Sequence, residues 1–226
     1  LTNPGAFTST ALTLVDSTLG LTVTGAVNTG AGALSLQTTG GNLAINQTLT
    51  STNATLTSTN ASVAIGANID AGNGGGGGTA TLTAGNQITR SAGTLTSLNV
   101  ILSAANGIGT AAPIVTTATN LKATNSTANN IQVSNTGALT LHNFSSGNAI
   151  TSAGNLNVTA GGAIDHSGPV AVTGTTTLNA GANAITLTDS GNNFTGTVTA
   201  TGTNIQITDT NALTTVLTDG GASTLI

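Results

Sequence analysis

The chain has no cysteine, methionine, tryptophan or tyrosine, its six acidic residues are all aspartate, and only 4% of its 226 residues are charged. Each absence excludes something. Without cysteine there is no disulfide and no thiolate metal ligand, and the redox compartment stays open. With Arg90 and Lys122 as the only cations and a net charge of −4, the basic stripe needed for nucleic acid is missing, and so is a polybasic attachment to anionic lipid. No apolar run approaches the roughly 18 residues of a membrane-spanning helix. Aromatics at 1% are too few for the girdles of a transmembrane barrel, so no membrane insertion is expected. The missing methionine implies a processed product or a window on a longer chain, and no signal peptide is visible at "LTNPGAF".

Gly, Ser, Thr and Asn fill the space that charge leaves. Such a composition invites disorder, yet disordered chains combine low hydrophobicity with high net charge. Here the mean hydropathy is +0.26 and the apolar residues are ordered. They recur in a station made of an aliphatic residue, a Gly- or Asn-rich corner and a second aliphatic: "LTAGNQI" from Leu82, "LSAANGI" from Leu102, "LKATNSTANNI" from Leu121, "LHNFSSGNAI" from Leu141, "VTAGGAI" from Val158, "LNAGANAI" from Leu178, "VTATGTNI" from Val198 and "LTDGGASTL" from Leu217. The intervals are 20, 19, 20, 17, 20, 20 and 19 residues. Leu14, Leu36 and Leu56 keep the same beat earlier, as do Val23, Ile45 and Ile65. The interval from Leu56 to Leu82 widens to 26, and "AGNGGGGGTA" at 71–80 accounts for the excess as a loop extruded from one corner.

Inside each station the alternation has period two, as in "ALSLQ" and "NIQIT", which is the pattern of half-buried strands. Short strands returning every twenty residues predict an all-β chain: one right-handed parallel β-helix, a β-solenoid of about 11 rungs with about three short strands each. It would run continuously over 1–226, with the loop insertion at 71–80 and no capping domain. One rung cannot bury enough apolar surface to order itself, so stability must come from its neighbours.

With the rungs aligned, the chain resembles the repeat region of filamentous haemagglutinin-like exoproteins, bacterial adhesins exported by two-partner secretion. The resemblance rests on the beat from Leu82 to Ile205, on "GGAI" at 161–164 and on "NAITLTDSGNNFTGTVTATGTNIQITDTNAL" at 183–213. It covers nearly the whole chain but lacks the family's amino-terminal secretion domain and any carboxyl-terminal maturation or toxin region. It implies a secreted, cell-surface shaft segment whose partners are further rungs of a longer chain and a host or cell-surface receptor of unknown identity.

Parallel β-helices also carry polysaccharide lyases and hydrolases, which need clustered acids, basic residues and aromatic walls. None assembles here, so no catalytic residue and no cofactor is expected. Asp189 and Asp209 each follow an isoleucine by four residues and lie twenty apart, which places them face to face on adjacent rungs as a weak candidate cation pair; turn capping is the competing use, with Asn135 in the same slot after Ile131. Lys122 and His142 each follow a station leucine and should stack outward on neighbouring rungs. Asp165 and His166, adjacent on a strand, point to opposite faces and make a poor dyad.

Sequons at Asn46, Asn53, Asn60, Asn125, Asn143, Asn157 and Asn193 are no more than this composition generates. Thr-rich text such as "TVTATGT" raises ice binding, but the residues after successive station aliphatics are Ser103, Lys122, His142, Thr159, Asn179 and Thr199, not a uniform face. The expected function is therefore a non-enzymatic shaft of a secreted surface adhesin. The alternative is a subunit that stacks end to end into an extracellular filament or sheath.

Overall fold

Alternation decides the local structure. In Ala33–Thr38 the side chains of Leu34, Leu36 and Thr38 are buried and those between them are not, and Asn53–Ser58, Thr79–Ala84 and Asn99–Ala104 repeat the pattern. The computed structural model describes residues 6–75 and 77–226. Every regular element among them is a strand. The strands stack in parallel, rung on rung, into a β-solenoid of about 10 turns. One ladder runs the full length from Phe7–Thr8 to Thr215–Asp219, and its eleven strands bound ten turns. At about 4.8 Å per rung the rod is about 50 Å long. A single cluster of buried hydrophobic residues, aliphatic but for Phe194, fills it from Leu21 to Ile207.

In the amino-terminal half a rung has one long side and two short ones. The long side stacks Leu12–Asp16, Ala33–Thr38, Asn53–Ser58, Thr79–Ala84, Asn99–Ala104 and Asn120–Asn125. One short side stacks Leu21–Val23, Leu43–Ile45, Val63–Ile65 and Ile88–Arg90, then narrows to a single bridge at Ile108. The other is the full-length ladder.

The cross-section then inverts. Ile108 and Ile114, which belong to different short sides, both pair with the one strand Ile131–Asn135, so two short sides fuse into a long one. Opposite them the long side splits. Leu121 pairs with Leu141 but Ala123 pairs with Ile150, so residues 142–149 are extruded opposite Lys122 alone. The split persists in Ile164–His166 and Val170–Val172, which stack on Leu139–Leu141 and Ile150–Ser152.

This inversion corrects the register expected from the sequence. Leu102 stacks on Ala123, not Leu121, and Leu121 stacks on Val100. Val158 lies over Val133, not Leu141, whose partner is His166. The eight stations therefore occupy two walls, and the interval of 17 residues marks the change of wall. A slip of two residues preserves which side chains face the core, so the alternation cannot reveal it. The residues put forward as an ice-binding face are likewise not one column: Ser103 neighbours Thr124, and Thr159 lies over Ser134.

The glycine run behaves as an insertion. Asn53 pairs with Thr79, 26 residues on, whereas Ala33 pairs with Asn53 and Thr79 with Asn99 at intervals of 20. Asp70 holds the near end of that loop, its carboxylate accepting from the Gly72 and Gly74 N–H groups at 3.0 and 2.9 Å. Residue 76 of the predicted loop lies outside the described residues.

Candidate functional site

Corners leave backbone groups without ladder partners, and each must find another. Carbonyls are met by the last inward residue of a strand, reaching three residues on. Thr29 and Ser152 donate in this way to the carbonyls of Gly32 and Asn155 at 3.0 and 3.2 Å. Fully buried Asn125 donates to Ala128 and Asn129, both at 2.8 Å. Orphan N–H groups are met by Asx turns, two residues on: Asn28 accepts from Gly30 at 2.7 Å and Asn179 from Gly181 at 2.9 Å.

The corner created by the split is different, because it collects ionisable groups. Lys122 stands where the wall opens, and its ammonium donates to the carbonyls of Asn143 and Ser146 at 3.1 and 2.7 Å. The extruded loop it holds is tight, with Phe144 at φ 49° and Ser145 at φ 72°. His142 accepts the Phe144 N–H on Nδ1 at 2.9 Å, and the two rings lie 4.4 Å apart. One rung up, His166 sits in the core column above Leu141. Its Nε2 accepts the Thr188 N–H at 2.9 Å, while Nδ1 is buried without a partner. Further along, Asn192 is fully buried; it accepts from Val170 at 2.8 Å and donates to Leu187 and Thr208 at 2.9 and 3.2 Å.

The two aspartates of the candidate cation pair are engaged separately. Asp189 is half-buried and closes an Asx turn on Gly191 at 2.8 Å. Asp209 is turned inward, 9% exposed, and accepts the Phe194 N–H at 3.1 Å on Oδ1, while Oδ2 has no partner. Both carboxylates act as backbone acceptors where strands end, which is capping chemistry. Asn135 does not share their slot: it lies on the fused long wall, between Thr116 and Ala160. There it is buried, accepting from Thr116 and Ala118 at 2.8 and 2.9 Å and donating to Ala118, Gly137 and Ala138 at 3.0 to 3.1 Å. Its amide satisfies the seam where the two short walls merge. Lys122 and His142 do lie at neighbouring positions of adjacent rungs, beside the pair Leu121 and Leu141. Asp165 is exposed and takes the His166 N–H at 2.7 Å.

Among the described residues no group of three or more His or Asp side chains could hold a metal ion. Two half-buried aspartates have carboxyls held below the usual range: Asp16 by the N–H groups of Thr18 and then Leu19, Asp219 first by the Ser223 hydroxyl and then by the Gly221 N–H. Of the sequon asparagines, Asn46, Asn53, Asn60, Asn157 and Asn193 are exposed and Asn143 is half-buried, but Asn125 is wholly enclosed. A shallow groove beside the split is lined by Asn125, Thr151, Thr173, Asn193 and Thr195, all uncharged.

Sequence reasoning missed Asn125, Asn135 and Asn192 as the residues that make the seam. In a chain this rich in asparagine, nothing distinguishes three buried amides from the many exposed ones. Their signal lay in register: each ends a strand or fills a corner at an inward position.

Fold and corner chemistry define a β-solenoid repeat protein. A family described as "Repeats of unknown function (DUF5649)" matches residues 128–201, about a third of the chain, entirely within the half where the long wall has split. No curated protein and no solved structure matches the chain.

Proposed function

We propose that this protein is a non-enzymatic structural shaft: a β-solenoid segment of a large secreted bacterial surface exoprotein of the adhesin type, which carries binding regions away from the cell. The observation that carries this reading is the use made of the polar side chains. The buried asparagines, Lys122, Asp189 and both histidines are consumed in closing corners. A surface made of hydroxyls, amides and strand backbone suits a rod that must remain extended outside a cell. At the first and last described rungs Leu12, Leu14, Leu213 and Leu217 pack against the core but are only partly buried. Further rungs of the same kind, stacked above and below, would cover them.

A subunit that stacks end to end is the second reading, favoured by those same apolar edges. Ice binding has less support. The regular outward column Ser134, Thr159, Asn179, Thr201 and Thr218 is interrupted by one amide, and its neighbour runs from Gln132 through Asn157, Thr177 and Thr199 to Val216.

Immunogold electron microscopy of intact producing cells tests the proposal. The shaft reading predicts label at the cell surface on thin projections of finite length belonging to a chain larger than 21.5 kDa. Indefinite filaments repeating at one chain length would favour the subunit. Label confined to the cell interior would overturn both.

A further inference from the structure

We infer that the split corner is a pH-sensitive clasp, in which His142 and His166 do as neutral rings what asparagine does elsewhere in the chain. Orphan N–H groups at other corners are capped by Asn28 and Asn179, whose oxygens accept at any pH, or by Asp70 and Asp189. At the split corner two of the acceptors are imidazole nitrogens, beside the Asn143 amide oxygen that takes the Ser145 N–H at 3.1 Å. His142 Nδ1 takes the Phe144 N–H and His166 Nε2 takes the Thr188 N–H, each at 2.9 Å. An imidazole nitrogen accepts only through its lone pair, and protonation removes it.

The geometry also assigns the ring protons. Accepting on Nδ1 puts the proton of His142 on Nε2; accepting on Nε2 puts that of His166 on Nδ1, which is enclosed. The neutral rings are therefore opposite tautomers on successive rungs.

The surroundings set the direction of the effect. Facing His142 are Lys122 from the unsplit wall, already committed to the Asn143 and Ser146 carbonyls, and the Phe144 ring. A proton on His142 would add positive charge beside that ammonium and push a donor against the Phe144 N–H. His166 has Asp165 next to it on its own strand, bonded to the His166 backbone N–H, Leu141 below, and Thr188 followed by half-buried Asp189 from the rung above. Asp165 is exposed and points to the other face, so a proton on His166 Nε2 meets the Thr188 N–H at 2.9 Å and only a weak acceptor, the Thr188 hydroxyl at 3.4 Å, rather than a carboxylate. Protonation at both rings thus opposes the closed corner, and acid loosens the loop 142–149 and the turn at 188–192 while the walls remain paired.

Amide hydrogen exchange and ring nitrogen shifts, measured by NMR on the whole chain, test this. At pH 7.5 the ring shifts should show a pyridine-type Nδ1 for His142 and a pyridine-type Nε2 for His166. Between pH 7.5 and 5.0, protection at Phe144 and Thr188 should fall at least about tenfold after correction for intrinsic exchange, while Leu56 and Leu102 in the unsplit wall hold theirs. The double variant H142N/H166Q keeps an oxygen at each acceptor position and should show no such fall. The same tautomer at both rings, unchanged protection at either amide in the wild type, or an equal fall in the double variant would each overturn the inference. Should the double variant misfold at pH 7.5, the wild-type tautomers and amides decide alone.

Discussion

Three asparagines and one aspartate stand among twelve buried polar residues of those described, the rest being serine and threonine, and they differ in how well they are satisfied. Asn135 uses both ends of its amide, accepting from Thr116 and Ala118 and donating to three carbonyls. Replacing it with leucine strands those groups in the core, and Asn135→Leu should lower unfolding free energy by about 2 to 4 kcal/mol in urea titration. Asp209 is the opposite case. One carboxylate oxygen serves Phe194 and the other is buried with nothing to bond. Asp209→Asn keeps the acceptor and removes the charge, and should raise stability by about 1 kcal/mol at pH 7. Loss of stability there would show that the free oxygen has a partner. Asp16 and Asp219, lowered by their hydrogen bonds, add stabilisation that is present above about pH 4 and fades as pH falls through their lowered values. Both side chains are half-buried at the surface, so the acid-side loss is small and is read locally, at the Thr18 and Leu19 amides.

At the scale of the strand and corner, spacing between rungs leaves little room for error. Gly93 has φ 78°, and a Cβ there would lie 2.2 Å from the backbone of Ala67 one rung below. Gly93→Ala combines a left-handed conformation with a backbone clash, so a cost of about 2 to 4 kcal/mol is expected in the same titration. How much of this level was legible in the sequence follows from what period two can encode. Inward and outward residues were legible because Leu34, Leu36 and Leu82 alternate with less buried neighbours. The insertion at 71–80 was legible because the beat resumes beyond it. The partner of each leucine was not legible, because Leu102 over Leu121 and Leu102 over Ala123 differ by two residues and bury the same faces. The change of wall was invisible for a related reason. "LHNFSSGNAI" and "VTAGGAI" read as the same station, yet one spans an extruded loop and the other follows a fused wall. What separates them is the eight-residue excursion opposite Lys122, a tertiary event with no local signature. The histidines suffered likewise: their use as acceptors depends on which amide the inverted rung brings near.

Across the whole molecule, one core continues through a change of cross-section, which ties the two halves into a single stacked unit. Arg90 and Lys122 are its only trypsin sites. Arg90 is bound through Nε to the Gly93 carbonyl at 2.6 Å, and Lys122 is fastened to the extruded loop. Native chain should therefore survive trypsin intact and yield three pieces only after denaturation, a difference that mass spectrometry reads directly. The inversion is the claim on which the corner, the clasp and the reassigned register all depend, and engineered cysteines test it in a chain that has none. In a parallel ladder, facing residues on adjacent rungs are close enough for a disulfide. The structure places Thr159 beside Ser134 and Thr151 beside Thr124. Under mild oxidation S134C/T159C and T124C/T151C should cross-link, and H142C/T159C should not. Cross-linking of the last pair, with the first two remaining reduced, would restore the uninterrupted register and contradict the inversion.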